Sequence, residues 1–325
     1  MGPLALMAKN AGFKVFGSDL ARGAIYDELA KAGIEVKIGT QDGKFLKSKL
    51  KEGVDWFVHT SALPEDHAEL ELARVAGIKI TKRDDLTAFL VERLELKMVA
   101  VAGTHGKTTT TAMIVWAALK LGLPVSYIVG TTLGFAVSGA YHAGDKYFVY
   151  EADEYDRNFL KYHPWLAVIP YVSYDHPDIY PTREDYMQAF RQFEGQSAEV
   201  VKTGMDEGRF KLAGKVRRQD AGLAVEVIKR MAPEIDEDRI VDVLNEFPGV
   251  GRRFERINEG VYSDYAHHPE EIAATVEMAK EEAKMIGRRG VVVVYQPHQN
   301  VRQHEVRDGY KDAFVGADKI LWLPT

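Results

Sequence analysis

The apolar positions of the first ~95 residues alternate between helical and strand spacing. "PLALMAKNAG" reads as a helix closed by Gly12, and "FKVFGSD" as a strand ending in a polar turn. "AIYDELAKAG" with "IEVKIG" repeats the unit, "VDWFVHTSAL" is a further strand, and "ELELARVAG" with "IKITKR" repeats it again. This rhythm predicts a parallel, Rossmann-like α/β sheet. The sequence enters it at a helix, with Met1 and Gly2 leading straight in, so the first strand and glycine loop of the pattern are missing.

"LKMVAVAGTHGKTTTTAMIVWAALKLG" predicts a strand, a glycine loop and a helix ending near Gly122. "KYFVYEADEYD" and "LAVIPYVSYDH" read as parallel strands whose C-terminal ends carry acidic residues and a histidine, the edge where open α/β sheets place ligands. "REDYMQAFRQF" is an amphipathic helix. After Phe193 the stretch "EGQSAEVVKTGMDEGRFKLAGKVRR" is turn-rich with little strand content, followed by the helices "QDAGLAVEVIKRM" and "DEDRIVDVLNEF". From "GVGRRFERI" a third unit runs through a strand "GVYSDYA", a helix "PEEIAATVEMAKEEAKMI", a strand "GVVVVYQP", a helix around Val306 to Phe314 and a strand "KILWLP". The expected domains are 1–95, 96–247 and 248–325, the second shortened after 193 and the third truncated.

Composition narrows the function. With 325 residues, 46% of them hydrophobic, the chain can bury a sizeable core in two or three domains. A net charge of −6 argues against binding nucleic acid by phosphate neutralisation. The absence of cysteine excludes disulfides, thiolate catalysis and cysteine metal sites. No apolar run approaches the ~20 residues of a membrane span, and the N-terminus lacks signal-peptide features. A cytoplasmic protein with neither membrane nor nucleic-acid partner is expected, as a monomer or weak dimer.

Candidate chemistry centres on "VAVAGTHGKTTTTAM". A standard phosphate loop would carry its first glycine at Val101, so the spacing differs from G-x-x-x-x-G-K-[ST]. Gly103 and Gly106 still let the backbone approach an anion at a helix N-terminus. Lys107 can reach β/γ-phosphates, and the Thr108 hydroxyl can ligate Mg²⁺. In "YEADEYD", strand alternation points Glu151 and Asp153 the same way, offering a second Mg²⁺ ligand. "SYDHPDIY" brings His176 to the rim of the same sheet. In the third unit, Arg252 and Arg253 suit a phosphate or carboxylate, Asp264 a ribose hydroxyl, and His267, His268, His298 and Arg302 follow strand ends.

"AGTHGKTTT", "EADEYD", "YDHPDIY", "GRRFE", "DYAHHPEEI" and "YQPHQNVR", in this order, resemble the Mur ligases, the ATP-dependent amide-forming enzymes of peptidoglycan synthesis. The family loop G-T-x-G-K-[ST] accounts for Val101. The resemblance implies three domains: a Rossmann-like UDP-sugar domain, a central P-loop ATPase domain and a Rossmann-like C-terminal domain. It implies that the carboxylate of UDP-N-acetylmuramate attacks the γ-phosphate of ATP, and that an amine then attacks the acyl phosphate. By motif, Gly103, Thr104, His105, Gly106, Lys107, Thr108 and Thr109 hold ATP, joined by Arg252 and Asp264. Lys107, Glu151 and His176 carry catalysis, and Thr108, Glu151 and His176 hold Mg²⁺. Ser18, Asp19 and Ser61 lie in turns resembling the UDP-sugar pocket, and His267, His298 and Arg302 face the incoming amino acid.

Two members of the branch compete. "EADEYD" and "DHPDI" lean toward ligation of a ready-made L-Ala-γ-D-Glu-meso-diaminopimelate tripeptide. "YQPH…R" leans toward L-alanine and carries more weight, because it meets the incoming amino acid. A non-catalytic nucleotide- or UDP-sugar-binding relative is a third reading. Departures from the family pattern are Val216 and Arg217 in place of a His-Asn pair that meets the nucleotide, and Gln299 in place of an arginine. With the missing segments, they lead to the expectation that the sequence joins pieces of a longer chain.

Overall fold

The structure is a computed structural model that describes residues 1–297 and 307–324. Its first unit contains α1 (Gly2–Asn10), β1 (Phe16–Asp19), α2 (Tyr26–Lys31), β2 (Glu35–Ile38), α3 (Lys44–Leu50), β3 (Trp56–His59), α4 (Ala68–Val75), β4 (Lys79–Lys82) and α5 (Arg83–Arg93). β1 pairs in parallel with β2, and β3 with β4. The two pairs are separate sheets rather than one. Between them lies a cavity of about 580 Å³, lined by Phe16 and Ser18 of β1, Phe57 of β3, Leu4 of α1 and Leu46 of α3. Its walls therefore come from residues of β1 and β3 and from helices, which makes it a slot between the two strand pairs. The helices α3 and α5 are absent from the sequence reading, since each shows a single buried apolar side chain, Leu46 and Leu90, amid charge.

The central unit is built on β5 (Lys97–Val101), α6 (Lys107–Lys120), β6 (Val125–Ile128), β7 (Gly139–Ala140), β8 (Tyr147–Glu151), β9 (Leu166–Val168), α7 (Arg183–Gln196), β10 (Glu199–Val201), α8 (Lys215–Met231) and α9 (Glu237–Asn245). The sheet order is β10-β9-β5-β8-β6-β7, parallel throughout except for β7. Strand alternation sorts side chains into two cores. Val99, Val101, Val149 and Val168 join α6, α8 and α9 on one face. Met98, Ala100, Phe148, Tyr150 and Ile169 join α1, α5 and α7 on the other. Val101 pairs with both Glu151 and Val168, so β5, β8 and β9 end level and open onto one crevice.

The stretch after Phe193, expected to hold little strand, holds only the three-residue edge strand β10. The short runs that become β6 and β7 carry no alternation and are visible only through their partners.

The third unit comprises β11 (Glu255–Asn258), β12 (Val261–Ser263), α10 (Pro269–Met285), β13 (Val292–Tyr295), α11 (Tyr310–Ala313) and β14 (Lys319–Trp322). "GVYSDYA" forms an antiparallel hairpin with β11, which the sequence reading did not contain. β13 and β14 are parallel, over a small core of Ile272, Val276, Tyr295, Ala313 and Phe314. Arg218 of α8 donates to Glu281 of α10 at 2.7 Å and ties this unit to the central one. Among the described residues, no helix is long and apolar enough to cross a membrane.

Candidate active site

The loop between β5 and α6 has a shape only glycine permits at two positions. A Cβ on Gly103 would lie 2.6 Å from the carbonyl of Tyr171. At Gly106, φ is +83°, and a Cβ would meet Asp220 and Pro170 at 2.9 Å. Thr104 staples the loop to the segment after β9. Its N–H donates to Tyr171 O at 2.8 Å, and its hydroxyl donates to Ser173 O at 2.6 Å. Gly106 is the N-cap of α6 and brings no side-chain acceptor, so the first-turn N–H groups and the positive helix end suit an anion.

Lys107, the first residue of α6, turns back over this loop. Its ammonium donates to Gly103 O at 2.5 Å and to Glu154 at 2.9 Å. Burial works to lower its proton affinity, but the carboxylates of Glu154 and Glu151 outweigh it, and the group is held above the ordinary lysine value. Glu154 is only 2% exposed. Burial pushes it up, yet Lys107 prevails and keeps it below the usual carboxylate range. The Thr108 hydroxyl donates to both oxygens of Glu151, at 3.0 and 3.1 Å. A hydroxyl beside a carboxylate is a hard-oxygen pair that fits Mg²⁺.

His176 stands at the end of the segment after β9 in a left-handed backbone conformation, φ +58°. Its Nε2 lies 3.6 Å from Glu154 Oε1 and 3.6 Å from Asp175 Oδ2. Lys107, Thr108, Glu151, Glu154 and His176 thus share one crevice. Glu154 is the residue to which sequence reasoning gave no role. "EADEYD" offers four carboxylates and nothing in the string ranks them. Nor do Glu151 and Asp153 act together, because β8 ends at Glu151 and the chain turns. Asp153, raised by burial, faces Arg83 at 3.5 Å, and Asp156 takes Lys82 at 2.6 Å.

The third unit meets the loop through α10. His105 Nδ1 lies 3.1 Å from Glu271 Oε1. Burial raises Glu271, but His105 and His267 outweigh it and hold the carboxyl far below its usual range. Asp264 accepts from the N–H groups of Phe254 at 2.6 Å and Ala266 at 2.7 Å, so it shapes the turn before α10. The guanidinium of Arg252 sits 4.7 Å over the Tyr265 ring. His267 lies with its Nδ1 3.1 Å from Tyr265 O. His298 and Arg302 lie outside the described residues.

In the first unit, Ser18 and Asp19 are the last residues of β1, not turn residues. Ser18 donates to Glu69 at 2.6 Å, accepts from Gln41 at 2.9 Å and lines the slot. Asp19 is exposed. Ser61 is exposed in the turn after β3, where Thr60 and Leu63 line the cavity instead. Beneath the glycine loop, Asp220 accepts from Thr110 at 3.0 Å, and burial lifts its carboxyl to about 7.

Comparison with known proteins adds to this geometry. The family model for the Mur ligase family, catalytic domain, matches residues 1–94, and that for the Mur ligase middle domain matches residues 101–221. The chain is 32% identical to a UDP-N-acetylmuramate–L-alanine ligase of Symbiobacterium thermophilum, over 99% of this chain and 77% of the relative. It is also 32% identical to the same-named protein of Syntrophomonas wolfei, over 99% and 79%. Among solved structures, it superposes on a UDP-N-acetylmuramate-alanine ligase of Thermotoga maritima with a TM-score of 0.81 at 24% identity, covering 100% of this chain and 83% of that one.

Proposed function

The chain belongs to the Mur ligase family, and on that premise we propose that it joins L-alanine to the carboxylate of UDP-N-acetylmuramate with ATP as the driving substrate. The observation that carries this reading is the crevice at the ends of β5, β8 and β9, where a loop for phosphate, a lysine and an oxygen pair for Mg²⁺ converge. The name borne by relatives at 32% identity favours L-alanine over the tripeptide. A non-catalytic relative is not favoured, since Lys107, Thr108 and Glu151 are all present and in contact range. A cytoplasmic setting fits a cysteine-free sequence.

In this reading the N–H groups at the start of α6 and the Lys107 ammonium bind the phosphates of ATP. Lys107 exchanges the Glu154 carboxylate for phosphate oxygens of like charge. The substrate carboxylate displaces ADP at the γ-phosphorus to form an acyl phosphate. The amine of L-alanine then adds to that carbonyl, loses a proton, and inorganic phosphate departs with the C–O electron pair. Thr108 and Glu151 would hold Mg²⁺, with His176 facing the same crevice against Glu154. The ion, when bound, neutralises charge developing on the transferred phosphoryl group. The contribution of the protein is mainly preorganised charge and position.

The test supplies ATP, Mg²⁺ and UDP-N-acetylmuramate with L-alanine, glycine, L-serine or the tripeptide in turn, and identifies products by mass. The expected product is the L-alanine adduct, formed with ADP and phosphate. Robust turnover with the tripeptide and none with L-alanine overturns the assignment.

A further inference from the structure

His105 stands in the glycine loop, yet its side chain points to the third unit, away from the Lys107 cluster. Its Nε2 lies 3.5 Å from Glu270 Oε2, and its ring centre is 5.1 Å from that of His268. One ligand atom from each of His105, His268 and Glu270 lies within 4.8 Å of the others. Ligands at about 2.0–2.2 Å from a tetrahedral ion stand ~3.3–3.6 Å apart, so the His105–Glu270 edge already has the required length. His268 Nδ1 accepts from Glu270 N–H at 3.4 Å as the N-cap of α10, which holds its ring beside the other two.

The surroundings are those of a supported metal ligand. Glu271 holds His105 Nδ1 at 3.1 Å, and Nε2 faces Glu270 with Ser173 Oγ 3.4 Å away. A carboxylate behind a ligating histidine fixes the tautomer and orients the ring. The other oxygen of Glu271 accepts from the N–H groups of His267 at 3.1 Å and His268 at 3.3 Å, so one carboxylate positions the loop histidine and the start of α10 together. Tyr171 stacks on His105 from another side, ring centres 5.7 Å apart.

We propose that His105, His268 and Glu270 form a site for a divalent transition-metal ion that clasps the glycine loop to the first turn of α10. Two imidazoles and one carboxylate suit Zn²⁺ or Co²⁺ and not Mg²⁺, which prefers oxygen ligands throughout. The donor set is distinct from the Thr108–Glu151 oxygen pair. It joins residues of the central and third units, so an ion there restrains the third unit against the phosphate loop. The site goes beyond the ligase reading and stands without it.

The experiment titrates Co²⁺ into the whole, chelator-stripped protein with excess Mg²⁺ present and follows visible absorption. A saturable signal at one ion per chain is expected. Glu270→Gln removes an exposed ligand, and His268→Asn keeps an N-cap side chain for α10. Each variant should weaken Co²⁺ binding by at least ~10-fold. Glu151→Gln should leave the signal in place. No saturable signal, or one that both α10 variants leave unchanged, overturns the proposal. So does a signal that Glu151→Gln abolishes and Glu270→Gln does not, which assigns the ion to the oxygen pair.

Discussion

Replacing Glu154 with glutamine keeps the shape of the side chain and removes the charge that faces Lys107 in the crevice. The ammonium, 16% exposed, retains the Gly103 carbonyl and the more distant Glu151. Breaking a buried ion pair from one side costs about 3–5 kcal/mol, and the remaining carbonyl places this case near 3. In a unit of this size about 1 kcal/mol moves Tm by ~2–4 °C, so the nucleotide-free variant should melt roughly 6–12 °C below wild type. Saturating Mg-ATP returns anionic oxygens to Lys107, and the deficit should shrink to less than half. Thermal melts of both proteins, with and without Mg-ATP, measure this directly. A nucleotide-free Tm within about 2 °C of wild type refutes the energetic argument. An unchanged deficit at saturating ATP refutes the idea that Glu154 occupies the place of phosphate.

Three further outcomes follow from the same crevice. Lys107→Ala should lower substrate-dependent phosphate release by at least ~10²–10³-fold, and near-wild-type release removes its phosphate role. Asp220, raised to about 7 when folded, holds a proton that the unfolded chain releases near pH 4, so its stabilising effect is full below that and is lost as pH rises through 7. Three pH units correspond to on the order of 4 kcal/mol, which Asp220→Asn should recover at pH 8 relative to pH 4. Denaturant midpoints whose difference between variant and wild type does not change with pH contradict this. Gly106→Ala adds a Cβ 2.9 Å from Asp220 and Pro170 at φ +83°. It should cost about 1–3 kcal/mol and abolish nucleotide binding, both checked by melting with and without ATP.

How much of this the sequence reveals depends on how local each signal is. The β5–loop–α6 unit is legible because a buried run, two glycines and a lysine lie within one short stretch, and each has a direct backbone consequence. The parallel arrangement of β5, β8 and β9 is legible for the same reason, since polar groups gather where apolar strands end. Glu154 is not legible. Its role comes from burial against Lys107, 47 residues away, and neighbouring carboxylates in the string look alike. β7 and the β11–β12 hairpin owe their existence to partners, and short irregular runs carry little period of their own. Ser61 is exposed while its neighbours Thr60 and Leu63 line the cavity, and a sequence string does not rank neighbouring turn residues by which wall they face.

The slot between the β1–β2 and β3–β4 pairs has a consequence for how the molecule opens. Each strand of a two-stranded sheet leaves one edge outside any ladder, so no continuous hydrogen-bonded spine crosses the first unit. Helices and contacts such as Ser138 with Glu28 fasten it to the neighbouring sheet. Its amides should therefore exchange with solvent in an early, independent step, while those of β5, β8 and β9 wait for cooperative unfolding. The first unit is then the more readily opened part of the molecule, and the six-stranded sheet of the central unit its more persistent part.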